Sequence, residues 1–201
     1  MIFPRIPAGR VYKDYHAYKP LLRRTFLNRC AYCLRHEAHF GGEANGQIDH
    51  LCPAAEFQRM GRPELGYTYA NLFWSCGECN HFKRDAWPDA AESALGFRFV
   101  DSTEEDTDQH WEVLPTGEIK ALTPAGRWTI GMVSLWRDDL VRWRREVLEA
   151  EQRINRLKDK IDHSLLTPEV KRELHEQMRR EILFVSPHPL DRPPFSAKSL
   201  R

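Results

Sequence analysis

Apolar residues recur at alternating intervals of three and four from Val133 to Ile161. The series is Val133, Trp136, Leu140, Trp143, Val147, Ala150, Ile154, Leu157 and Ile161, a heptad seam over 29 residues. That period places one apolar stripe along a long helix. Thr167-Pro168-Glu169 then offers an N-cap, a proline at the first helical position and an early acid. Val170, Leu174, Met178 and Ile182 continue at helical spacing, so a second helix and an antiparallel helical hairpin are expected. The stripe either packs on the rest of the chain or meets a partner or a second copy. Residues 186–201 carry Pro187, Pro189, Pro193 and Pro194 and read as an extended tail.

The pattern before residue 124 is shorter in period. Tyr18, Leu21, Leu22 and Phe26 predict a short helix over 17–28 with Pro20 in its first turn. Residues 37–46 are glycine-rich and read as a loop. Residues 47–52 predict a strand closed by Pro53, and 56–69 read mostly as loop with room for a helical turn. Leu72, Phe73 and Trp74 form an apolar run. Residues 97–100, 111–114 and 118–122 predict short strands, the last two joined by a Pro115-Thr116-Gly117 turn. The expected organisation is a core over 1–100, an acidic loop and strand pair over 101–123, a helical hairpin over 124–185 and the tail. The fold class is α+β, and no internal repeat is visible.

Composition narrows the function classes. The chain has 201 residues, 41% of them hydrophobic and 29% charged, which is globular composition. No apolar run reaches the roughly 18 residues of a membrane helix, and two prolines and early charges interrupt the start. A soluble cytoplasmic protein is expected. Lys and Arg total 30 against 29 Asp and Glu, a net charge of +1. That balance hides an uneven distribution: residues 1–40 carry +6 and residues 101–110 carry −5. The basic stretch could face a polyanion or be a solvated helix surface, and the acidic decapeptide reads as an exposed loop.

Four of the five cysteines form two C-x2-C pairs, Cys30/Cys33 and Cys76/Cys79. Each pair presents two sulfurs from one tight knuckle, and two pairs complete a tetrahedral four-thiolate site. Softness and geometry favour zinc over iron. Such a closed site is structural, because no ligand position remains for substrate. His36 and His39 would compete with a filled site, and Cys52 reads as a small buried residue. Trp128, Trp136 and Trp143 read as core, and Arg142, Arg144 and Arg145 as a solvated helix face.

The 42 residues between the pairs contain Ile48-Asp49-His50-Leu51-Cys52-Pro53 and Asn71. The second knuckle runs on as Cys79-Asn80-His81-Phe82-Lys83. Adjacent strand residues point to opposite faces, so Asp49 and His50 need a twist or bulge to share a site. A carboxylate suits Mg²⁺, and a neutral imidazole suits a general base on water.

These motifs resemble the HNH endonuclease family, of ββα-metal architecture. The resemblance lies in C-A-Y-C at 30–33, I-D-H-L-C-P at 48–53, N-L at 71–72 and C-G-E-C-N-H-F-K at 76–83, and spans roughly residues 22–88. It implies a zinc-stabilised ββα core that hydrolyses DNA phosphodiesters with catalytic Mg²⁺ or Mn²⁺. By position, Asp49 is the implied metal ligand, His50 the general base and Asn71 the residue steadying the base-bearing loop. Asn80 is the implied second ligand with His81 as its rival, and Lys83 is the implied phosphate contact; Arg84 beside it is a further candidate for touching phosphate. HWEVLPTGEIKAL and TIGMVSLWRDDLVRWRREVL resemble the strand pair and helix downstream of the nuclease core in HNH proteins of retron and Septu-type antiphage systems. That implies a defence nuclease working beside an ATPase subunit, docked through the C-terminal helices.

A non-catalytic zinc module binding nucleic acid or protein is the competing reading. A module that only binds has no need of the Asp49-His50 pair. A zinc nucleobase deaminase is excluded, because the residue two after His50 is Cys52 rather than Glu and Ser75 precedes Cys76.

Overall fold

The computed structural model describes residues 1–163 and 166–185, and the expected tail lies outside them. Helix and strand are mixed, as in an α+β fold. The chain divides into two compact units. The first holds residues 1–112 and 119–137, and the second holds 113–118 and 138–201.

In the first unit, β1 (Gly46–His50) pairs antiparallel with β2 (Leu72–Cys76), Ile48 lying opposite Trp74 and Asp49 opposite Phe73. The sequence of β2, LFWSC, is buried at every position. Strands covered on both faces favour such unbroken apolar runs over alternation. Gly46 has a steric reason, because a Cβ there would lie 1.9 Å from the Trp74 ring. The chain turns from β2 straight into α3 (Gly77–Lys83), which packs on both strands. A β-β-α unit results.

α1 (Lys19–Thr25) has Pro20 in its first turn and lies against β2, with Leu22 and Phe26 fully buried. The excursion from β1 to β2 holds more helix than expected: α2 (Ala54–Arg59), entered from Pro53, and a 3-10 turn at Pro63–Gly66. α4 (Ala90–Ala94) opens on a capping box between Asp89 and Glu92. β3 (Trp111–Val113) and β4 (Ile119–Ala121) form the expected pair around Gly117, whose φ is +85°. α5 (Pro124–Met132) is capped by Thr123, whose Oγ1 accepts from the Gly126 N–H at 3.0 Å.

Other expectations also differ from what is observed. Residues 97–100 form no strand, because the Val100 N–H finds the Thr129 hydroxyl at 2.9 Å instead of a neighbouring chain. The acidic decapeptide is not simply exposed. Ser102, Thr103 and Thr107 are buried, and Phe3 N–H donates to the Ser102 carbonyl at 2.7 Å. The basic stretch turns partly inward. Arg29 is fully buried, Arg23 pairs with Glu37 and Glu43, and Arg5 caps the Tyr69, Ala70 and Leu72 carbonyls. Finally, the heptad seam is broken. Ser134 takes a left-handed φ of +50° after α5, and Trp136 is 62% exposed rather than core.

The second unit is led by α6 (Asp138–His163) and α7 (Pro168–Val185), which pack together as a hairpin. Leu140, Val147, Ala150, Ile154 and Leu157 supply the buried stripe. Arg153 forks onto Glu181 at 2.8 and 3.0 Å. Arg144, expected on a solvated face, is buried and donates to the Gly117 carbonyl at 2.7 Å. α5 belongs to the first unit, so the division falls after Arg137 rather than before residue 124. Among the described residues, no helix is long and apolar enough to cross a membrane.

Candidate zinc centre and histidine site

The two knuckles meet. The ligand atoms of Cys30, Cys33, Cys76 and Cys79 all lie within 4.8 Å of one another, and all four residues are buried. The Cys33 and Cys76 sulfurs are 3.9 Å apart. A tetrahedral ion with Zn–S bonds of about 2.3 Å sets its sulfurs about 3.8 Å apart. The spacing therefore fits a four-thiolate zinc site. Among the described residues, no other group of three or more His, Cys, Asp or Glu is placed to share an ion.

Local backbone geometry makes this arrangement. The Cys30 N–H donates to the Arg35 carbonyl, and the Leu34 N–H to the Cys30 carbonyl. Leu34 closes the knuckle with a φ of +64°. The Ala31 N–H donates to the Trp74 carbonyl at 2.8 Å, which ties the first knuckle to β2. At the second knuckle the Cys79 N–H donates to the Cys76 sulfur at 3.5 Å.

Without a cation the cluster resists full ionisation. Burial, and then its thiol neighbours, push the Cys30 thiol well above its ordinary value. Burial opposes ionisation of Cys33 too. Hydrogen bonds from the other three thiols and the nearby Arg35 nevertheless hold Cys33 well below the usual thiol range. Four thiolates on Zn²⁺ carry a net −2, and two arginines face that charge. Arg35 reaches Glu78 at 2.5 Å, and Arg137 reaches the Cys79 sulfur at 3.5 Å and Glu78 at 3.2 Å. Outer partners of this kind orient ligands and tune the site.

His50 ends β1. Its Nε2 lies 2.8 Å from the Gly66 carbonyl oxygen. A carbonyl only accepts, so Nε2 carries a proton, and in the neutral ring Nδ1 is the nitrogen with a lone pair. The ring lies edge-on to Tyr15 at 4.9 Å and beside Phe57 at 5.8 Å. Asn71 holds the excursion that carries Gly66. Its Oδ1 accepts from the Cys52 N–H at 2.7 Å, and its Nδ2 donates to the Cys52 and Leu65 carbonyls at 3.0 and 3.1 Å.

Asp49 has different surroundings. The five strand pairs run in unbroken register, so no bulge turns Asp49 and His50 to one side. Asp49 is buried and accepts from the Tyr32 hydroxyl and from Lys83 Nζ, the latter at 3.2 Å to each carboxylate oxygen. Burial raises its proton affinity, and Lys83 and Tyr32 oppose that rise. Lys83 is itself fully buried and also donates to the His50 carbonyl at 2.7 Å. The expected phosphate contact of Lys83 is thus replaced by an internal ion pair. The cause is its place on α3, whose inner face lies on β1.

Asn80 donates through Nδ2 to Gln47 Oε1 at 2.6 Å. His81 is exposed with its ring against Phe82, and Arg84 is exposed. Asp49 and Asn80 do not fit a shared divalent ion in this arrangement, because Lys83 already brings a positive charge to the carboxylate. Tyr32, Gly66, Arg35 and Arg137 escaped the reading of the sequence. Only Tyr32 left a signal there, as an aromatic between two cysteines of one knuckle. No protein-family model matches the chain, and no curated protein matches it either.

Proposed function

We propose that the chain is an HNH-type endonuclease that hydrolyses DNA phosphodiester bonds with His50 as general base. The observation that carries this reading is the His50–Gly66 hydrogen bond of 2.8 Å. It fixes one tautomer and leaves Nδ1 to accept a proton from water. That water's oxygen forms a bond to phosphorus as the bond to the leaving 3′ oxygen breaks, and solvent protonates the leaving oxygen. The β-β-α unit, the four-cysteine site and the Asn71 brace support the reading, because they hold the ring at the end of β1. No step is assigned to a catalytic Mg²⁺ or Mn²⁺, since Asp49 faces Lys83. Work as the nuclease of an antiphage system beside an ATPase belongs to the same proposal and rests on the sequence resemblance of residues 110–148.

One observation favours a second reading. The buried Asp49–Lys83 pair employs the acid inside the protein, as a non-catalytic zinc module that binds nucleic acid would. Plasmid nicking by wild type and His50→Ala, with added Mg²⁺ or Mn²⁺ and with chelator, separates the two. Loss of a general base should cost about 10²–10⁴ in rate with DNA binding retained. Equal cleavage by both proteins removes His50 from the mechanism. Binding without cleavage by either selects the second reading.

A further inference from the structure

We propose that the stack of half-buried Tyr15 and exposed His16 beside His50 is a platform for unpaired nucleotides, seating the strand whose phosphodiester meets His50. The inference rests on the nucleic-acid part of the reading above and adds the form of the substrate.

The two rings stack at 4.1 Å between centroids with 28° between planes. Tyr15 also meets the His50 ring edge-on at 4.9 Å, so the stack adjoins the proposed base. The His16 side chain is 69% exposed, yet the ring is held in place. Asp14 does the holding. Its Oδ1 accepts from both the His16 N–H and the His16 ring Nδ1, each at 2.9 Å. The segment is also anchored from behind. The Tyr12 N–H donates to the Tyr18 hydroxyl at 3.0 Å, the two rings meet edge-on at 4.8 Å, and Tyr18 is buried against Tyr69. Arg10 lies over the Tyr12 ring at 4.5 Å. Arg10 and Lys13 are both exposed, and no ion pair holds either among the described residues.

Exposed cations beside fixed, partly exposed rings suit a single strand. Backbone phosphates follow the cations, and bases stack on the rings whatever their sequence. A duplex offers no such purchase, since its bases already stack on each other. The pre-set rings lower the ordering cost of binding.

The test measures binding, not cleavage. Fluorescence anisotropy in a His50→Ala background, without added divalent ion, uses one short sequence as single-stranded DNA, single-stranded RNA and duplex DNA. Single strands should bind more tightly than duplex, and the DNA and RNA arms identify the preferred sugar. Adding Tyr15→Ala and His16→Ala should weaken single-strand binding at least about fivefold, the lower end of what one stacked base contributes. Duplex binding should change far less. Tyr15→Phe should keep single-strand affinity, because the stacking face survives. Duplex binding equal to or tighter than single-strand binding overturns the proposal. So does a Tyr15→Ala/His16→Ala protein that binds single strands like its parent, or a parent that binds no nucleic acid. Selective binding with wild type inactive in cleavage leaves the platform standing and removes only the nuclease reading.

Discussion

Replacing Asn71 by alanine removes three hydrogen bonds at once, at 2.7 Å from the Cys52 N–H and at 3.0 and 3.1 Å to the Cys52 and Leu65 carbonyls. Asn71 is only 7% exposed, so bulk water does not readily replace them. A buried donor left without a partner costs about 1–3 kcal/mol. The Cys52 N–H is that donor. The two carbonyls add less, because an acceptor tolerates isolation better than a donor. The total loss should be about 2–4 kcal/mol. Asn71→Asp should do no better than alanine. It keeps the acceptor for Cys52 but turns the donor into an acceptor aimed at two carbonyls. Urea unfolding of the zinc-loaded protein measures the loss as a lower midpoint at unchanged slope. Amide exchange at Cys52 supplies the local readout and should accelerate with the global loss or beyond it. A change under about 0.5 kcal/mol, the size of an ordinary surface substitution, with Cys52 protection intact would refute the assignment of Asn71 as brace.

Lys83→Met should destabilise the protein by about 3–5 kcal/mol at neutral pH, because it strands a buried carboxylate. The penalty should shrink in acid, where Asp49 takes up a proton, and in the Lys83→Met/Asp49→Asn double variant. Unfolding midpoints at two pH values check both statements. Glu151 on α6 has both carboxylate oxygens without a hydrogen-bond partner, and burial raises its pKa to about 7. A raised acid favours folding while protonated. Stability tied to Glu151 should therefore be greatest below its unfolded value of about 4.3 and fall as pH rises through the folded value near 7. Glu151→Gln should melt higher than wild type at pH above that window and lose the dependence. An unchanged melting profile would show that the carboxylate is solvated.

The four-cysteine cluster was readable because it lies in four residues of one type at two fixed spacings. Asn71 entered only through the family resemblance, which implied a residue steadying the base-bearing loop. Other parts of the site depend on contacts that spacing does not encode. The partner of His50 is a backbone carbonyl at Gly66, and any residue type would supply one. Lys83 was expected at phosphate through the family resemblance, but the turn of α3 that buries Cys79 also carries Lys83 onto Asp49. The heptad seam misled for a related reason. Val133 and Trp136 keep the period, yet α5 ends at Met132, Ser134 takes a left-handed backbone, and α6 starts only at Asp138. Arg5, Arg29 and Arg144 show the limit of charge counting. Their guanidinium groups satisfy buried carbonyls, among them those of Tyr69, Leu34 and Gly117, and that demand is invisible in sequence.

Four buried cysteines far apart in the chain could grip one ion and so tie β1, β2 and α3 together near His50. X-ray absorption at the zinc edge, on purified protein with its metal content measured, tests that most directly. One zinc per chain with four sulfur neighbours at about 2.3 Å is the expected result, lost in Cys33→Ser and Cys76→Ser alike. A folded protein holding no metal, or zinc bound through nitrogen or oxygen, would contradict it.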